Sequence, residues 1–89
     1  MFGAGGNKPE AEARTLATER YNGFEVQAAP VKESGGWRVS GLIRKEIDGE
    51  IKQHHLVRAD TCADAESATA LTLTKAHRLI DEQGERLFD

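Results

Sequence analysis

The chain has 89 residues, 38% of them hydrophobic, with Phe2, Tyr21, Phe24, Trp37 and Phe88 as its aromatic side chains, so it supports one domain and a thin core worth about 3–5 kcal/mol. A formal charge of -3 gives no overall attraction to nucleic acid or to an acidic membrane, and no apolar run approaches the ~20 residues that cross a bilayer. Cys62 stands alone, which excludes an internal disulfide and, without a secretory apolar stretch, points to a reducing, cytoplasmic setting.

Residues 1–20 read as a Gly-rich leader followed by a marginal helix. Met1–Lys8 carries no period, and its Gly-Ala-Gly-Gly-Asn-Lys string lacks both the preceding strand and the following Lys-Ser or Lys-Thr of a phosphate loop. From Pro9 to Arg20 the helix formers Ala, Glu and Arg dominate, with Leu16 as the one large apolar anchor, so a short helix is expected there.

Residues 21–89 read as a single β-β-β-α domain. Phe24, Val26 and Ala28 alternate with Glu25 and Gln27, the period of a half-buried strand, and Pro30 ends it or marks a sheet edge. Glu33-Ser34-Gly35-Gly36 is a turn. A second strand runs from Trp37 to Ile47, with Trp37, Val39 and Ile43 on one side and Arg38, Ser40 and Arg44 on the other. Asp48-Gly49 is a hairpin signal, and Ile51–Thr61 is the return strand. Asp64 suits a helix N-cap with Glu66 in the first turn. Ala68, Leu73, Ala76, Leu79 and Ile80, with Thr69 and Thr72, then form a helical face over residues 65–83, and Gly84 stops it. Leu87 and Phe88 can fold back on the sheet. The expected architecture is α+β, a three-stranded antiparallel sheet covered on one face by the long C-terminal helix.

Two hairpin registers compete. A two-residue loop at Asp48-Gly49 pairs Ile47 with Glu50 and Ser40 with Val57, and mixes both faces. A three-residue loop with Gly49 in a bulge pairs Glu46 with Glu50, sets Val39 against Val57 and Trp37 against Ala59, and leaves one clean apolar face, so it is preferred. The opposite face then carries Arg38, Arg44, Lys52, His54 and Arg58, with Leu42 and Leu56 among them. Between Trp37 and Arg58 there are five basic and three acidic residues, against three basic and seven acidic from Asp60 to Asp89. These cations are either solubilising residues on a wet sheet face or an anion and nucleic-acid surface. Leu42 and Leu56 are candidates for a dimer contact, for cover by the helix bearing Leu16, or for ordinary surface.

No constellation selects an enzyme, and no cofactor motif is present. His54, His55, Asp60, Cys62 and His77 are the candidate metal ligands, but adjacent strand residues point to opposite faces, so His54 and His55 cannot readily share an ion and no metal site is assigned. His55 reads as partly buried and Cys62 as a small hydrophobe. The order of elements is similar to that of a double-stranded RNA-binding domain, but that module needs a lysine-rich start to its last helix. Here the stretch is Asp60-Thr61-Cys62-Ala63-Asp64-Ala65-Glu66, which repels phosphate.

From about Tyr21 to Phe88 the chain resembles the small HlyU-type family of transcriptional activators. The resemblance lies in Tyr21-Asn22-Gly23-Phe24, Ala29-Pro30-Val31-Lys32-Glu33, Lys45-Glu46-Ile47-Asp48-Gly49-Glu50, Arg58-Ala59-Asp60-Thr61 and Ile80–Phe88, in the family's order, and in the Gly-rich leader. Thr69, Leu71, Thr72 and Thr74 depart from the family's Ala- and charge-rich helix. The resemblance implies a regulator of gene expression with DNA or a regulatory protein as partner. No recognition helix accompanies it, because the single long helix is needed by the core and begins acidic. Two readings follow: a regulator contacting DNA or another anion through Arg38, Arg44, Lys52, His54 and Arg58, or a protein-interaction or homodimerisation module using Leu42, Leu56 and the sheet edge. Neither involves a membrane.

Overall fold

The computed structural model describes residues 14–89. The strands are β1 (Ala17–Tyr21), β2 (Phe24–Ala28), β3 (Val31–Glu33), β4 (Gly36–Ile47) and β5 (Glu50–Cys62). Helix α1 (Ala65–Gln83) follows, and a 3-10 turn over Gly84–Phe88 closes the chain.

The α+β class and the C-terminal helix agree with the sequence, but the antiparallel sheet has five strands rather than three. Two causes account for the difference. Asn22 (φ 51°) and Gly23 (φ 86°) both take the left-handed conformation that a tight two-residue hairpin requires, so Tyr21 pairs with Phe24 and Ala17 with Ala28. Ala17–Arg20, expected as the end of a helix, is therefore a strand, its local propensity overridden by cross-strand partners. The leader and residues 9–13 of the expected helix lie outside the described residues. Pro30 is the second cause. It is fully buried, and it divides what would be one long strand into β2 and β3, which pair with successive stretches of β4 on the same side. Pro30 thus ends β2, one of the two roles expected of it.

The β4–β5 hairpin uses the two-residue loop. Asp48 (φ 54°) and Gly49 (φ 83°) form the turn, Ile47 pairs with Glu50, and Ser40 pairs with Val57. The preferred three-residue register is overturned, as is its pairing of Trp37 with Ala59. The ladder shifts between Ser40 and Arg38, beyond which Arg38 pairs with Thr61 and Trp37 with Cys62. Arg58, Ala59 and Asp60 bulge opposite Val39, which stays on the buried face with Gly41 and Ile43 by the alternation of β4 itself.

Asp64 caps α1 as expected, accepting a hydrogen bond from the Ser67 N–H at 2.7 Å, and the Gly84 N–H (φ 56°) donates to the Ile80 carbonyl. Ala68, Thr72, Ala76 and Ile80 are buried against Phe24, Val26, Ala28, Val39, Ile43 and Leu56. Leu87 is buried too, and Phe88 stacks on Phe24 with ring centroids 6.0 Å apart, so the C-terminal turn returns to the sheet. Among the described residues one sheet face is thus covered by α1 and the other is left open.

Candidate functional site

The observed register decides which side chains occupy the open face. Opposite residues in an antiparallel pair share a face, so alternate positions of β1, β2, β4 and β5 fall into rows across the sheet. One row is Thr18, Gln27, Leu42 and His55; the next is Arg20, Glu25, Arg44 and Gln53. Ser40 with Val57, and Glu46 with Ile51, flank these rows. Val31 lies opposite Arg38 on the same face. Val57 and Ile51 are each 54% exposed and Leu16 is 48% exposed, which makes this face part apolar and part charged.

Each open-face arginine has a carboxylate neighbour. Arg44 pairs with Glu25 at 3.6 Å, Arg38 pairs with Glu33, and Arg20 stands across from Glu25. The Nε atoms of Arg38 and Arg44 lie inaccessible against the sheet, without a protein partner among the described residues. At one corner Arg20, Arg44 and Lys45, with Glu25 and Glu46, line an open concavity of about 300 Å³. Lys45 is itself held there by Glu85 at 3.0 Å and by the Phe24 ring, 4.6 Å from its ammonium.

The seven residues singled out in the sequence do not form one surface. Arg38, Arg44 and Leu42 are on the open face. Leu56 is opposite Gly41 and fully buried beneath α1, and His54 is half-buried opposite Ile43 on that same side. Lys52, exposed near the hairpin end, pairs with Glu50 at 3.1 Å. Arg58 donates to the Val57 carbonyl at 3.2 Å and borders a shallow cleft of about 200 Å³ with Lys75, Arg78, Leu79 and Glu82 of α1. His55, expected to be partly buried, is exposed on the open face, because the two-residue loop turns His54 inward instead. His77 meets neither His55 nor Cys62. Among the described residues no three metal-ligating side chains converge.

A further polar cluster joins β1 to α1. Tyr21 stacks on His77 with centroids 4.0 Å apart, and its hydroxyl donates to both oxygens of Asp81 at 2.9 and 3.0 Å. Asn22 Nδ2 donates to Asp81 at 3.3 Å, and His77 Nε2 contacts Glu19. The hydrogen bond to the Asp81 carboxylate raises the Tyr21 pKa, as do lesser burial and charge effects, so the phenol is held protonated and is no nucleophile. The cluster clamps the first hairpin to the helix. Its sequence signal was the Asn22-Gly23 turn together with the i, i+4 spacing of His77 and Asp81, one helical turn apart.

The model of one protein family, described as transcriptional activator HlyU, matches residues 1–88. No curated protein and no solved structure matches the chain. No helix among the described residues is long and apolar enough to cross a membrane.

Proposed function

The chain belongs to the HlyU family of transcriptional activators, and from that membership we propose that it works in transcription by binding a regulatory protein on its open sheet face rather than by reading DNA. The observation that carries this reading is the pairing of the open-face charges. Arg20, Arg38 and Arg44 are matched by Glu25, Glu33 and Glu46 on the same face, so a phosphate backbone would find no excess of cations and would release few counterions. The apolar side chains interleaved with them, Leu42, Val57 and Leu16, suit a protein partner with a complementary mixed surface. The helix offers no alternative, since its buried stripe is occupied by the sheet and its first turn carries Asp64 and Glu66.

Two measurements test this. A random DNA duplex titrated into isotope-labelled protein at low salt is expected to leave the amides of Arg20, Arg38 and Arg44 unshifted. A photo-crosslinking residue at Gln27 or Gln53 is expected to capture, in cells, a protein that itself binds DNA or polymerase, whereas one at Glu66 is not. Equal capture from both faces would sink the reading.

A second reading, contact with a nucleic-acid phosphate, draws on the concavity where Arg20, Arg44 and Lys45 converge. Salt-sensitive amide shifts confined to those three residues in the same titration would favour it over the first.

A further inference from the structure

Strand β5 is thirteen residues long and lies at the edge of the sheet, hydrogen-bonded to β4 alone, and no described residue pairs with its outer side. The two-residue turn makes Ile47 and Glu50 the closing hydrogen-bonded pair. Glu50, Lys52, His54 and Leu56 therefore direct their backbone groups to β4, and Ile51, Gln53, His55 and Val57 direct theirs outward. Such an edge is a template for another strand, and proteins usually guard it. Here the regular part of the strand has no proline, and two of the most exposed large apolar side chains, Ile51 and Val57, stand on it.

We propose that β5 pairs antiparallel with β5 of a second copy of the chain, about a two-fold axis through His54, joining two sheets into one. An axis perpendicular to the sheet keeps each side chain on its own face, so partners must have the same parity, which leaves few registers. Centred on His54, Ile51 lies opposite the partner's Val57, and Gln53 opposite the partner's His55. Glu50 comes opposite the partner's Arg58, beside the cations Lys75 and Arg78 that line the cleft with Arg58. Each exposed apolar residue thus meets the other, and opposite charges meet at both ends. A shift of the axis to His55 would set Lys52 against Arg58, like against like, and Ile51 against Ala59. A shift to Gln53 would leave Val57 without a partner within the regular ladder. The span Glu50–Arg58 is symmetric about His54 and ends where the β4–β5 ladder becomes irregular. About eight backbone hydrogen bonds would form from groups that now face outward.

This dimer shares Val57 and Gln53 with the partner reading above but leaves Gln27, Leu42 and Arg44 uncovered, and self-association of the purified chain tests it apart from that reading. Sedimentation of the full chain over a concentration series is expected to show a monomer–dimer equilibrium, and Val57→Lys to raise its Kd at least about tenfold while amide spectra remain folded. The register has its own readout. A mixture of Ile51→Cys and Val57→Cys chains, each also carrying Cys62→Ser, is expected to oxidise to a mixed disulfide dimer, since hydrogen-bonded antiparallel partners sit about 5.5 Å apart. Either variant alone, and a mixture of Gln53→Cys with Val57→Cys, should stay uncrosslinked. A strictly monomeric wild type, or a dimer indifferent to Val57→Lys and to cysteine position, would overturn the proposal.

Discussion

Gly41 of β4 lies directly beneath Thr72 of α1. A Cβ built on Gly41 would come within 2.8 Å of Thr72 Cγ2 and within 2.6 Å of the Gln27 carbonyl oxygen on β2. The helix therefore approaches the sheet at a position where the strand offers no side chain. Thr72 satisfies its own hydroxyl by donating to the Ala68 carbonyl at 2.7 Å and presents its methyl to the glycine. Gly41→Ala is expected to destabilise the fold by about 1–3 kcal/mol through overpacking. Calorimetry should show a lower midpoint, by roughly 4–8 °C for each kcal/mol in a domain of this size. Thr72→Ala should relieve part of the loss but not all, because the Gln27 oxygen belongs to backbone. A double variant as stable as the wild type would place the strain wholly at Thr72.

Leu42 and Leu56 were indistinguishable in the sequence, and the observed register separates them. Leu56 is fully buried against α1, while Leu42 faces outward beside His55. Leu56→Ala is expected to cost about 2–5 kcal/mol and Leu42→Ala less than about 1 kcal/mol, as read by urea denaturation. Equal costs would contradict the register.

The contrast shows which features one chain makes legible. Helix α1 could be read to the residue because its signals are local: Asp64 caps it, Gly84 stops it, and the apolar stripe between them has one period. The β4–β5 register could not, because the bulge over Arg58, Ala59 and Asp60 shifts the pairing by two residues, and a pattern of alternating residues read straight through it gives the wrong partner. The first hairpin carries the same turn chemistry as the second, Asn22-Gly23 beside Asp48-Gly49. It was hidden because Ala17, Glu19 and Arg20 favour helix when isolated, and the pairing with β2, together with the Glu19–His77 and Tyr21–Asp81 contacts some sixty residues apart in sequence, fixes them as strand. The residues of the expected basic face are dispersed for both reasons together, since the observed register turns His54 and Leu56 inward and the ion pairs of Arg38 and Arg44 lie with glutamates on neighbouring strands.

Asp64 makes the acid limb of the stability curve testable. Its hydrogen bonds from Ser67 favour the ionised form and hold its pKa below the usual carboxylate value. A folded-state pKa depressed in this way contributes stability that is fully present above the unfolded value and is lost as pH falls through the folded one. Asp64→Asn keeps a capping oxygen without the titration. Denaturation followed from neutral pH down through the carboxylate range should therefore show a shallower acid loss for Asp64→Asn than for the wild type, and identical slopes would discount the cap as a contributor.

Tyr21 is the only tyrosine of the chain, so phenolate absorbance reads it without interference. Its hydroxyl donates to Asp81, and that carboxylate opposes ionisation first as hydrogen-bond acceptor and then by its charge, which raises the pKa above the ordinary value of 10.0. A spectrophotometric titration of the native protein should have its midpoint on the alkaline side of that value, and Asp81→Asn should bring it back. The sign for stability follows: a group whose folded pKa is raised contributes most below its unfolded pKa, and the contribution vanishes as pH rises through the folded one. The clamp between β1 and α1 should therefore loosen at strongly alkaline pH, with hydrogen exchange speeding first at Glu19 and Tyr21 while the β4–β5 ladder stays protected. Exchange that accelerates uniformly across the sheet would show instead that the first hairpin and the rest of the sheet open as one unit.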